Sequence, residues 1–268
     1  MQDTGSTVVG DDADAGRRLR TVDALVGIAY AVQAIIVGVV VSTVGAQVLL
    51  PVTATFAAGP PGTSSEQSVH VDVASVDLGI AVFVLLAAGA VVRFALLVPA
   101  LGLRRSEATA GGRNIVRWAE WSQVSAITVF LVAQLNGITE VTSLVPIYAI
   151  TATAALLLAL QERSGSGEAG RRLGAVAAVI GSVPWGGIAF AQVGATLTSG
   201  APTVTVRIIT VAMLGIAVAV WAFVWRAGHR SVAASPVADE VTYLGLALLG
   251  TGTFAWLAVG GIVLPSAL

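Results

Sequence analysis

Seven runs of apolar residues, at 22–45, 76–101, 115–137, 141–160, 173–196, 203–225 and 241–264, are separated by connections of which the first is long. A helix needs about 20 residues to cross about 30 Å of hydrocarbon, and each run is near that length. The fourth is the shortest. Between the first two runs the period changes. Val52-Thr-Ala-Thr-Phe56 and Ser68-Val-His-Val-Asp-Val73 alternate as strands do, around the turn signal Gly59-Pro-Pro-Gly62. The pattern predicts a small β-hairpin within the 50–75 connection, with an irregular loop as the alternative. Residues 1–20 are polar, with Asp11, Asp12 and Asp14 ahead of Arg17, Arg18 and Arg20. They read as a solvated tail rather than a signal peptide, since no short apolar core with a small-residue cleavage site opens the chain. Residues 21–268 then form one transmembrane domain: an all-α, seven-transmembrane-helix bundle.

Composition agrees with this pattern. Only 11% of residues are charged, against about 25% in a soluble domain; 56% are hydrophobic and the mean hydropathy is +0.89. The chain has no cysteine, which excludes disulfides and thiol chemistry. His70 and His229 lie in separate loops and make no metal-ligand spacing. No basic patch suits a nucleic acid, and no nucleophile–base pair or phosphate loop suggests an enzyme.

All fourteen basic residues are arginines. Twelve lie in the leading tail or at the connections between the second and third, fourth and fifth, and sixth and seventh runs, the exceptions being Arg93 and Arg207. By the positive-inside rule the N-terminus is expected in the cytoplasm and the C-terminus outside, in a multi-pass protein of the cell membrane. Arg207 reads as snorkelling to the outer headgroups, Asp77 and Glu140 as facing water, and Trp118, Trp121 and Trp225 as an interfacial belt.

Few charges fall inside the apolar runs, and two of them lie at depth. Arg93 lies in the second and Glu120 in the third, at matched depths of roughly 8–12 Å from the same membrane face. An ion pair is one way a bundle tolerates such groups. The alternative has Arg93 snorkelling while Glu120 is protonated or meets interfacial water. Tyr30, Gln33, Ser122, Gln123 and Ser125 lie at similar depth and complete a candidate polar cavity. Pro184 is expected to kink the fifth helix and, with Trp185, to shape a pocket.

Arg117-Trp-Ala-Glu-Trp-Ser122, Leu135-Asn-Gly-Ile-Thr-Glu140, Leu160-Gln-Glu162, Val183-Pro-Trp185, Pro202, Glu240 with Tyr243 and Leu246, and Ala255-Trp256 occur in an order that resembles heliorhodopsins. The inside N-terminus and long outer first loop also fit that family. The resemblance implies that Glu120 matches the carboxylate balancing a protonated retinal Schiff base. Registering on Glu240, Tyr243 and Trp256 puts the family's serine and its Schiff-base lysine at Ala247 and Thr251. Trp256, with Pro184 and Trp185, becomes a pocket-lining candidate. Tyr30 and Arg93 fall where the family has cavity histidines. The aromatic after the sixth-helix proline is replaced by Val204-Thr-Val-Arg207.

An imine requires a primary amine, and no lysine exists to supply one. No cofactor is therefore expected: retinal cannot attach covalently. Arg93 would return a positive charge to the same cavity. The resemblance points to a sensory, regulatory or scaffolding role. The expected partners are the lipid bilayer, a second copy in a homodimer and an unidentified protein. The alternatives are a photoreceptor holding retinal or a carotenoid non-covalently, and a small-ion or proton pathway through the cavity.

Overall fold

The computed structural model describes residues 5–45, 47–60, 62, 68–102, 114–165, 167–198, 200–229 and 236–267, with side chains from Gly16 onward and none at 227–236. Arg104, Arg105, Arg113, Arg230 and Pro61 lie outside the described residues, as do the side chains of Asp11, Asp12 and Asp14.

Seven long helices form the bundle: α1 (Gly5–Val44), α2 (Leu78–Ala95), α3 (Ile115–Leu135), α4 (Val141–Ser164), α5 (Glu168–Leu197), α6 (Val204–His229) and α7 (Pro236–Ala258). A π-helical turn, Val259–Val263, and a short 3-10 turn, Pro265–Ala267, continue α7. Six of the helices are long and apolar enough to cross a membrane. The exception is α3, whose 21 residues include Arg117, Glu120, Ser122, Gln123, Ser125 and Gln134. It packs against α4, α5, α6 and α7, so other helices rather than lipid surround much of it. The bundle's outer surface is apolar, with Ile35, Val91, Val179, Phe190 and Val211 exposed, as lipid-facing positions should be.

The hairpin is present and longer than the alternation suggests. Strand β1 (Leu49–Ala57) pairs antiparallel with β2 (Ser68–Asp77), with a bulge between Val52 and Thr53. β2 runs straight into α2. The Asp77 carboxylate caps that helix by accepting from the Ile80 amide at 2.9 Å, so it is a structural cap rather than a group that merely faces water.

The polar residues ahead of the first span continue into it as one helix. The α1 backbone is helical from Gly5, and Leu19 is already buried in the bundle. No break separates tail from span at residue 20. At about 1.5 Å per residue, the 40 residues of α1 overshoot the hydrocarbon considerably.

The α1–α2 interface is built on glycines. A Cβ at Gly27 would meet the Arg93 Cβ at 3.1 Å, and one at Gly89 would meet the Tyr30 ring at 3.2 Å. Small residues let these helices approach closely enough to bury Tyr30 and Arg93 between them. Helix α5 runs unbroken through Pro184.

Candidate functional site

Arg93 occupies the last turn of α2, where its guanidinium is almost wholly buried. It is paired on two sides. Nη2 contacts the Glu120 carboxylate of α3, and Nη1 donates to Asp23 Oδ1 of α1 at 3.3 Å. The guanidinium thus ties three helices together and places positive charge beside two buried carboxylates. Asp23, at 2% exposure, was not among the sequence candidates. It sits at the edge of the first apolar run, where an acid reads as a boundary residue, and only the continuity of α1 puts it inside.

Tyr30 is also buried. Its hydroxyl lies 3.5 Å from Thr251 Oγ1, joining α1 to the position in α7 where the family resemblance puts its lysine. Thr251 lines a small, half-open space with Trp121, Ser125, Thr128, Trp185 and Met213, among others. Its water-accessible volume is about 50 Å³, room for a few waters. Ala247, one turn earlier on α7, is partly buried.

The other candidates are dispersed. Gln33 is turned toward the rim of α7 and accepts from Trp256 Nε1 at 3.0 Å. Trp256 is itself 43% exposed and does not line the space at Thr251. Gln123 is exposed and bonds the Tyr148 hydroxyl of α4, away from Arg93. Ser122 is buried, but its hydroxyl donates to the Ala119 carbonyl within its own helix. Pro184 is buried and, with Pro146, lines an apolar groove between α4 and α5.

A second ionic cluster lies at the same end of the bundle. Arg117, in the first turn of α3, contacts Glu162 at the end of α4 at 2.6 Å and Glu240 at the start of α7 at 2.8 Å. Glu240 is fully buried and also accepts from Asn114 Nδ2 at 3.0 Å. The Arg117 guanidinium sits 4.9 Å from the Trp118 ring centre and 5.1 Å from that of Tyr243, a cation–π arrangement. Tyr243 meets Trp118 and Trp121 edge-on at 5.8 and 5.4 Å. The expected belt needs revising here. Trp118 is 3% exposed and donates its indole N–H to Glu162, because the convergence of three helix ends encloses it. Trp225 is exposed. In one dimension these charges look like polar helix ends; the signal that unites them is their place in the ordered motifs quoted above.

At the hairpin end, Asn136 donates to Thr210 Oγ1 of α6 at 2.8 Å and accepts from Gln192 Nε2 of α5 at 2.7 Å. Gln134 holds β1 by donating to the carbonyls of Leu50 and Pro51. Glu140 does not simply face water: it accepts from Thr55 of β1 and stands 3.7 Å from His70 of β2. Arg207 is exposed near that end of α6.

No curated protein matches the chain. The family model for heliorhodopsins matches it over residues 19–263, from the first buried leucine of α1 to the π-helical turn after α7. That match takes in all seven helices and the hairpin between the first two, and it includes every residue of both ionic clusters. The chain is a member of the heliorhodopsin family.

Proposed function

We propose that this heliorhodopsin-family membrane protein works without covalent retinal, in a sensory, regulatory or scaffolding role rather than as a pump or an enzyme. The observation that carries the reading is Arg93, a guanidinium held between Asp23 and Glu120 in a chain that contains no lysine. A Schiff base needs a primary amine, which arginine does not offer. In its absence, Glu120 has its neutralising charge from α2. Non-covalent retinal is disfavoured by the small space at Thr251. An ion pathway is disfavoured by the apolar side chains that fill the bundle between the ionic clusters and the hairpin end, including Val129, Val132 and Leu131.

Mixing the purified chain with all-trans-retinal tests the reading. No visible absorption band and no borohydride-trapped adduct are expected; a protein-dependent visible band would overturn it.

The proposed orientation places the N-terminus in the cytoplasm and the hairpin outside the cell, with two copies forming a homodimer. The chain has no native cysteine, so single introduced cysteines report topology without background. Val71→Cys on the hairpin should react with a membrane-impermeant maleimide on intact cells, and Arg172→Cys near the start of α5 only after lysis. The reverse pattern would invert the topology.

A further inference from the structure

The hairpin is fastened to the bundle by a cluster containing one imidazole. Thr55 of β1 and His70 of β2 are cross-strand partners, and Thr55 Oγ1 lies 2.9 Å from His70 Nδ1. The same hydroxyl reaches Glu140 Oε1 at 2.5 Å, and His70 Nδ1 is 3.7 Å from that oxygen. Next to it, the Thr53 amide donates to the Thr139 carbonyl at 2.9 Å, so the strand is seated on the α3–α4 turn by its backbone as well. Glu140 is the residue immediately ahead of α4. His70 is largely exposed, within reach of bulk protons, whereas the Glu140 side chain is about one-third exposed.

We propose that His70 and Glu140 form a proton-operated latch that tightens the hairpin against the start of α4 when the medium at that end of the bundle is acidified. The sign follows from the charges. A protonated imidazole attracts the Glu140 carboxylate, so the added attraction is present below the range in which imidazoles titrate and is lost as pH rises through it. It also requires the negative charge of the Glu140 carboxylate, the group nearest the imidazole on α4's side. Among the described residues, Asp72 is the other titratable group on this face of the hairpin, two residues along β2 and paired with Thr53. Among the described residues β1 contributes only the Thr53 and Thr55 hydroxyls, and α4 adds the positive end of its helix dipole.

Hydrogen exchange of the 49–57 and 68–77 amides tests the latch in the detergent-solubilised full chain, corrected for intrinsic rates, on both sides of the imidazole range. Acidification should slow exchange by about two- to five-fold, the span expected of a partly exposed ion pair. His70→Gln should still reach Thr55 through its amide and keep the hairpin folded while abolishing the step. Glu140→Gln should abolish it as well. No step in the parent chain, or one that survives His70→Gln, would overturn the proposal. A step that survives Glu140→Gln alone would assign the attraction to Asp72 and overturn the pairing with Glu140.

Discussion

Arg93, like Arg117, faces two acids rather than one, and it is the more deeply buried of the two guanidiniums. Replacing it with Gln leaves Asp23 and Glu120 both without this cation in a poorly solvated place. Breaking a buried pair from one side costs about 3–5 kcal/mol, and Arg93→Gln is expected at or above that level. Glu120→Gln should cost clearly less, since Asp23 still holds the guanidinium. Denaturant unfolding in a fixed detergent, reading both variants against the parent, checks the ordering. Equal losses would mean that Asp23 does not share the arginine. Arg93 and Glu120 were legible in the sequence because a charge inside an apolar run has to be explained. Asp23 was not, since polar residues precede it, and neither was Glu240, which stands at a helix start where acids are ordinary.

Helices meet at their ends here, and the ends are where local sequence says least about neighbours. The spans and the hairpin could be read from periodicity alone: seven long apolar runs and one stretch of alternation. The convergence of α3, α4 and α7 on Arg117 could not, because it depends on which helix ends lie side by side. Asn136 shows the same point at the opposite end of α3. Gly137 follows it at φ 83°, a left-handed conformation that glycine adopts freely, and this lets the chain leave the helix sharply while Asn136 stays directed at α5 and α6. Asn136→Ala would strand the Thr210 hydroxyl's acceptor role and leave the Gln192 amide without this acceptor. Orphaned buried groups cost about 1–3 kcal/mol each. The expected result is a loss of that order in unfolding free energy with α-helical circular dichroism retained. A loss below a few tenths of a kcal/mol would show that Asn136 does not tie the helices.

For the molecule as a whole, the proposed function raises the question whether the absence of a lysine is one substitution or a change that has spread through the bundle. Were it a single loss, Thr251→Lys would restore an amine at the right depth, and the protein would take up retinal and absorb visible light. Three features oppose that outcome. Water-accessible space beside Thr251 is about 50 Å³, too little for a polyene of retinal's length unless helices part. The Tyr30 hydroxyl already contacts Thr251, so a longer side chain must displace it from its bed on Gly89. Arg93 already neutralises Glu120, so a protonated imine would enter a site whose counterion is engaged. Thr251→Lys is therefore expected to fold and yet show no visible band with retinal. A combined Thr251→Lys and Arg93→Gln chain would relieve the competing charge, leaving only the missing volume. If Thr251→Lys alone acquires a stable visible band, the pocket opens more readily than its packing implies, and the guanidinium does not substitute for the chromophore's charge.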